Sequence, residues 1–250
     1  MHWSLALGAA AGISLLASLA RALTPAGSVA AWGVGALILG TTGWHGGTVL
    51  LAFFVSSSLV GRVVGKPQPI DAKGERRDAA QVLANGGAAA LGSLAALQQP
   101  ELGLWLMSAA LAAAAADTWA TAWGSGSLTA PRSVLTGRMV PPGTSGGISL
   151  RGTLGSVAGA AVVALFTGRP DWLPTLLLLG TGGMLLDSLL GATLQGRFRC
   201  PVCDVPSERR RHRCDTATVQ VGGVRWIDND LVNGMSTTFT MGCAWLLRTF

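Results

Sequence analysis

An all-α, polytopic membrane helix bundle with about eight transmembrane helices is the fold class this sequence predicts, on three observations. Only 12% of the 250 residues are charged and 50% are hydrophobic, whereas average soluble domains carry roughly 25% charged residues. Mean hydropathy is +0.47. No Asp, Glu, Lys or Arg occurs from Ala22 to Gly61. As helix that run would be about 60 Å long, twice the roughly 30 Å hydrocarbon core, so it must fold back. These features exclude a disordered chain and argue against an ordinary soluble enzyme. The net charge of +6 would suit a nucleic-acid binder, but membrane proteins concentrate basic residues in the loops of one side. The expected partner is therefore the lipid bilayer and not nucleic acid. The 9 Trp suit the membrane–water interface.

Gaps between charges place the spans at about 2–20, 26–41, 46–64, 79–97, 102–122, 149–167, 173–194 and 230–248. Segment 2–20 lacks a basic leader and is followed by Arg21, so it reads as a mature span and not a signal peptide. Thr41-Thr42-Gly43-Trp44 is the expected turn between the second and third spans. Gly155-x-x-x-Gly159 and the Gly87/Gly92 pair suit close helix packing. The long connections 62–78, 123–148 and 195–229 hold most of the basic residues, while the connections at 98–101 and 168–171 are short. The basic side is assigned to the cytoplasm and both termini to the outside. Residues 1–250 read as one integral membrane domain, with 195–229 as a Cys-rich cytoplasmic loop. A homo-oligomer stays open.

Ionisable residues inside apolar segments are expensive and are retained for ions, protons or partners. Asp117 follows a run of Ala, and Asp187 lies between Leu186 and Ser188. A third acidic group comprises Asp228 and Asp230, with Asn233 and Thr237 on the Asp230 face at helical spacing. Asp228 also reads as a helix cap. Hard oxygen donors on separate helices suit Mg²⁺, which is held by one or two carboxylates plus substrate phosphates. The candidate ligands are Asp117, Asp187 and Asp230.

Pro141-Pro142-Gly143-Thr144-Ser145-Gly146-Gly147 precedes a span. Its backbone N–H groups and hydroxyls suit an anion at a helix N-terminus, and Arg132, Arg138 and Arg151 flank it. Lys73, Arg76 and Arg77 are followed by Gln81 and Asn85, and Arg77, Gln81 and Asn85 share one face entering a span. Cys200-x2-Cys203 is followed by His212-x-Cys214, a Cys3His set for structural zinc. Unmetallated thiols and a redox pair are the alternatives, and Cys243 reads as packing.

Together these stretches resemble a family of integral membrane proteins that includes transmembrane protein 19 and the phytyl-phosphate kinases. The matching segments are Phe53 to Ser58, Arg77-Asp78-x-x-Gln81-Val82-Leu83-Ala84-Asn85-Gly86-Gly87, Ala116-Asp117-Thr118-Trp119-Ala120-Thr121, Pro141 to Gly147, Asp187 to Gln195, and Asp228-Asn229-Asp230-x-Val232-Asn233. The resemblance implies phosphorylation of an isoprenyl monophosphate by a nucleoside triphosphate, at the cytoplasmic face of a bacterial or archaeal plasma membrane. With the carboxylates and basic residues expected on that side, Asp117, Asp187, Asp230, Arg77 and Lys73 are the candidates for catalysis. Arg76, Gln81, Asn85, Thr121, Arg138, Gly143, Thr144, Ser145, Gly146, Gly147 and Asn233 are assigned to phosphate or substrate. Asp117-x-x-Ala120-x-x-x-Gly124 is similar to an element of membrane enzymes that use CTP, which points to CTP as donor. A CDP-lipid nucleotidyl transferase and a lipid-phosphate transporter are the rival readings. Where many relatives carry an acidic residue after Thr121, this chain has Ala122-Trp123.

Overall fold

Each charge-poor stretch becomes helix, and the polar connections between them carry short strands. The computed structural model describes residues 2–64 and 76–249. The chain runs α1 (Trp3–Leu19), α2 (Pro25–Val63), α3 (Ala79–Ser93), α4 (Pro100–Ser125), β1 (Arg132–Ser133), β2 (Gly147–Ile148) and α5 (Leu150–Phe166). It continues through α6 (Leu173–Thr193), β3 (Arg197–Arg199), β4 (Pro206–Ser207), β5 (Val219–Gly222) and α7 (Asn229–Thr249). Among the described residues, four helical segments are long and apolar enough to cross a membrane: Pro25–Val63, Ala79–Leu97, Pro100–Ser125 and Pro170–Thr193. α1 and α5 are shorter apolar helices.

α2 is 39 residues long and breaks at Gly43, where φ is 67° and ψ −159°. A residue without Cβ takes that conformation at little steric cost. The break lies inside the expected turn, and a single residue suffices for it. The two arms return along each other, so that a Cβ at Gly47 would strike Leu39. At the open end of this hairpin, Arg62 Nη2 donates to Ala20 O at 3.1 Å. α1 packs on the first arm, where Trp32 Nε1 donates to Leu7 O at 3.1 Å.

α4 is the axis of the bundle, with α2, α3, α5, α6 and α7 against it. It is buried without interruption from Gly103 to Ala116. The Ala run gives it a thin surface, and glycines on its neighbours close the gap. A Cβ at Gly159 would come 2.6 Å from Ala115 O, and one at Gly155 2.7 Å from Trp119 O. One at Gly180 would come 3.0 Å from Ala112 O, and one at Gly183 2.6 Å from Ala113 Cβ. Gly155 and Gly159 thus pack as their spacing suggests. Gly87 does not: a Cβ there would meet nothing within 4 Å. On α3 the close contacts are made by Gly86, against Val34, and Gly92, against Met241 and Leu106.

The end with short connections is sealed by aromatic and basic groups. Trp105 Nε1 donates to Ala244 O at 2.8 Å, Trp105 meets Trp172 edge-on at 5.1 Å, and Arg248 lies over both rings. His45 Nε2 is 2.6 Å from Thr167 O.

The purely helical expectation is corrected in two connections. β1 and β2 form an antiparallel pair, and β4-β3-β5 form a three-stranded antiparallel sheet between α6 and α7. These strands are two to four residues long, below the window in which strand alternation can be read.

Candidate functional site

Asp117 sits eight residues before the last residue of α4, roughly 12 Å from that end at about 1.5 Å per residue. Asp187 occupies the last third of α6. Both are partly buried, and Asp117 stands near enough to Asp187 for the two carboxyl groups to interact. α7 completes this group. With its amide turned to donate, Asn233 Nδ2 lies 2.7 Å from Asp187 Oδ2 and 3.3 Å from Asn229 O. Asp230, one turn before Asn233, is 6% exposed. Asp228 Oδ1 accepts from Leu231 N–H at 3.0 Å, so Asp228 works as a helix cap.

The buried face of α7 carries more polar groups than Asp230, Asn233 and Thr237. Ser236 and Thr240 are also buried. Ser236 Oγ donates to Gly183 O at 2.7 Å and Thr237 Oγ1 to Ala84 O at 3.1 Å, tying α7 to α6 and α3. The signal for Ser236 and Thr240 was present in sequence as the same helical spacing that marked Asp230 and Asn233. Inside a membrane bundle such hydroxyls join helices.

The Gly-rich loop lies on α6 one turn beyond Asp187. A Cβ at Gly146 would come 2.8 Å from Ser188 O, and one at Gly191 3.6 Å from Ser145 Cβ. Gly143 and Gly146 take φ of 83° and 78°, left-handed conformations that glycine adopts freely. The loop is held by its own hydrogen bonds. Thr144 Oγ1 donates to Pro141 O at 2.7 Å and Gly147 N–H to Thr144 O at 2.9 Å. At the following helix Ser149 accepts from Gly152 N–H at 3.1 Å, which satisfies one N-terminal donor of α5. Arg151 Nη1 donates to Gly126 O at the C-terminus of α4, where a cation is favoured by the helix dipole. Arg138 is exposed. Thr121 is exposed one turn after Asp117.

Arg77, Gln81 and Asn85 form a second cluster at the start of α3. Gln81 completes a capping box: its Oε1 accepts from Asp78 N–H at 3.1 Å, while Asp78 Oδ1 accepts from Gln81 N–H at 2.9 Å. Asn85 Nδ2 donates back to Gln81 O at 2.9 Å. Arg76 donates twice to Leu23 O, from Nε at 3.1 Å and Nη2 at 2.7 Å. The Arg77 guanidinium stands 5.7 Å from the ring centres of both Phe53 and Phe54. Burial pulls its pKa down to about 10, which leaves it charged at neutral pH. Lys73 lies outside the described residues.

Arg77, Gln81 and Asn85 help line a cavity of about 140 Å³ whose other walls are mostly apolar. Phe53 and Phe54 from the second arm of α2, Val34 and Leu39 from the first, and Ile13 from α1 line it. Gly86 also lines it, while Ala84, two residues earlier, accepts from Thr237. One turn of α3 therefore separates the cavity from α7.

In the connection from α6 to α7, Cys200, Cys203, His212 and Cys214 converge: their candidate ligand atoms all lie within 4.8 Å of one another. Such a set could bind a metal ion such as zinc. Contacts with Thr216 and His212 hold the Cys214 thiol down at about 6, whereas hydrogen bonding to Cys214 and burial push Cys203 up to about 11. Cys243 stands apart on α7, partly buried.

The chain matches the family described as integral membrane protein DUF92 over residues 8–241. It is 29% identical over 237 residues to an uncharacterized membrane protein of Synechocystis, covering 87% of this chain and 79% of the relative. It is 28% identical over 235 residues to Protein PGR of Arabidopsis thaliana, covering 80% of each. A third relative, an uncharacterized membrane protein of Methanocaldococcus jannaschii, is 31% identical over 188 residues, covering 73% of this chain and 79% of the relative. No solved structure matches the chain. Its apolar helices, the carboxylates they carry and the match across nearly its whole length agree: the chain belongs to the DUF92 family of integral membrane proteins, which includes transmembrane protein 19 and the phytyl-phosphate kinases.

Proposed function

We propose that this protein is a prenyl-phosphate kinase, which transfers the terminal phosphoryl group of a nucleoside triphosphate, with CTP as the candidate donor, to phytyl or geranylgeranyl phosphate. The observation that carries the reading is the pairing of Asp117 with Asp187 on separate helices, bridged to α7 by Asn233. The chain crosses the membrane eight times, with α2 counted twice. The end with the long connections faces the cytoplasm of a bacterial or archaeal plasma membrane. In support, every Lys and Arg except Arg169 and Arg248 belongs to that end by sequence.

The donor set suits Mg²⁺: carboxylates and an amide oxygen are hard ligands, and no thiol or imidazole is among them. Asp117, Asp187 and Asp230 are the residues that would hold it. Bound there, Mg²⁺ would neutralise charge on the triphosphate. Asn233 orients the Asp187 carboxylate. The Gly143–Gly147 loop and Arg138 bind the donor phosphates, and Arg76, Arg77 and Lys73 neutralise the acceptor phosphate. Thr121 borders the carboxylates on the α4 face. An acceptor oxygen forms the new P–O bond to the terminal phosphorus. The bond from that phosphorus to the bridging oxygen breaks, and the nucleoside diphosphate leaves. The acceptor is already an anion, so positioning and electrostatics carry the catalysis without a strong base.

The cavity behind Arg77 supports the prenyl acceptor. Its 140 Å³ is below the roughly 300–1,000 Å³ of sites that enclose a drug-sized ligand. It would take the part of the chain next to the phosphate, with the remainder in lipid. The test is purified full-length protein with each prenyl phosphate, Mg²⁺ and each triphosphate. Formation of the prenyl diphosphate with release of nucleoside diphosphate is the expected result. Pyrophosphate release would establish a CDP-lipid nucleotidyl transferase instead. Movement of prenyl phosphate across liposomes without nucleotide, and no product with any donor, would establish a transporter.

A further inference from the structure

The Cys/His cluster lies outside the carboxylate group, and no step of phosphoryl transfer uses it. Two turns of similar build, the second one residue shorter, deliver its ligands. In the first, Cys200 follows β3, Cys200 N–H donates to Val205 O at 3.0 Å, Asp204 N–H donates to Cys200 O at 2.9 Å, and Asp204 has a φ of 55°. In the second, His212 N–H donates to Thr216 O at 2.9 Å, Asp215 N–H donates to His212 O at 2.9 Å, and Asp215 has a φ of 64°. An arginine just before each turn pairs with its left-handed Asp: Arg199 with Asp204 at 2.7 Å, and Arg211 with Asp215 at 2.6 Å. Each turn thus carries two of the candidate ligands, Cys200 and Cys203 in one, His212 and Cys214 in the other.

The spacing of two of the sulfurs is close to what one shared ion would set. Cys200 Sγ and Cys214 Sγ are 3.6 Å apart, and His212 Nδ1 is 3.0 Å from Cys214 Sγ. Zinc at about 2.3 Å from each sulfur in a tetrahedron would set neighbouring sulfurs about 3.8 Å apart. Cys203 N–H also points to Cys200 Sγ at 3.5 Å. Three sulfurs and an imidazole favour zinc over the hard ions, and four protein ligands leave no open position for catalysis.

We propose that Cys200, Cys203, His212 and Cys214 bind one zinc ion, which locks the two turns together and thereby fixes the distance between the ends of α6 and α7. The bracing runs through the sheet into both helices. Gly196 N–H donates to Ile227 O at 2.8 Å, and Val224 N–H donates to Leu194 O at 2.9 Å, so the strands leaving α6 and entering α7 are bound together beside Gln195. α6 carries Asp187 and α7 carries Asn233 and Asp230. The zinc is therefore a positioning element for the groups that α6 and α7 bring together.

Metal analysis and amide hydrogen exchange on the full-length protein in detergent test this without reference to activity. One zinc per chain is expected in wild type and in Cys243→Ser, and loss of at least nine-tenths of it in Cys200→Ser. His212→Cys, which keeps four ligands, should retain zinc and guards against a simple failure of Cys200→Ser to fold. Stripping the zinc with chelator should speed exchange at Gly196 and Val224 about tenfold or more. Zinc content that is the same in wild type and Cys200→Ser, an intact mass two hydrogens light from a Cys200–Cys214 disulfide, or unchanged exchange after stripping would each overturn the proposal.

Discussion

Asn233 on α7 donates to the Asp187 carboxylate on α6 at 2.7 Å, and this contact connects α7 to the paired carboxylates. Asn233→Ala leaves a partly buried carboxylate without that donor, a loss of about 1–3 kcal/mol for such a group. The expected outcome is a fall in turnover of roughly 5- to 150-fold at unchanged expression, read in a prenyl-phosphate kinase assay. Activity equal to wild type would remove Asn233 from the site.

Asp117→Asn keeps the size of the side chain and removes its charge. Turnover should be abolished while expression and thermal unfolding in detergent stay close to wild type. If the variant works at full rate, Asp117 has no part in the reaction.

Gln81 serves a helix cap whatever else it does. Gln81→Ala breaks the capping box with Asp78 and should lower stability by about 0.5–2 kcal/mol, measured as a lower unfolding midpoint. Gln81→Glu preserves the box. A Gln81→Glu variant with normal stability and reduced turnover would separate a substrate contact from the capping role; normal turnover would assign Gln81 to the cap alone.

Glycines of α3 and α5 should respond in opposite ways. Gly159→Ala puts a methyl 2.6 Å from Ala115 O and should destabilise by about 1–3 kcal/mol. Gly87→Ala meets open space and should gain up to about 1 kcal/mol from helix propensity. Unfolding midpoints of the two variants check the contrast.

Arg77 offers a pH test. Burial disfavours its charged form, so its pKa falls, but only to about 10. The cation therefore persists through neutral pH and is lost as pH rises past about 10. A lysine starts from about 10.4, so the same burial brings Arg77→Lys much closer to neutrality. Its activity should decline at a lower pH than that of wild type, which a pair of pH–rate profiles would show. Identical alkaline limbs would mean that the charge at position 77 is not used.

Much of the helical frame was legible because it rests on a coarse quantity, the absence of charge over lengths set by the bilayer. The hairpin turn near Gly43 followed from length alone. Asp228 as a cap and Gly155 with Gly159 as packing positions were readable from local spacing. The strands β3 to β5 were not, since their pairing links residues such as Phe198 and Gln220 through short segments without alternation. The Asn233–Asp187 contact was not either: each residue stood out alone, but which helix faced which is decided by packing around α4. The same holds for Arg77, whose partners Phe53 and Phe54 lie on another helix.

The break at Gly43 also bears on how the chain enters the bilayer. The two arms of α2 share one backbone bend with no charged connector, and Thr41 and Thr42 donate their hydroxyls back to the helix at Leu37 O and Ile38 O. No Asp, Glu, Lys or Arg stands at that tip. Arg21 and Arg62 stand at the opposite, open end. Taken as two spans, as proposed above, the pair of arms would insert as one unit during biogenesis, tip first, with its direction decided by the arginines left behind.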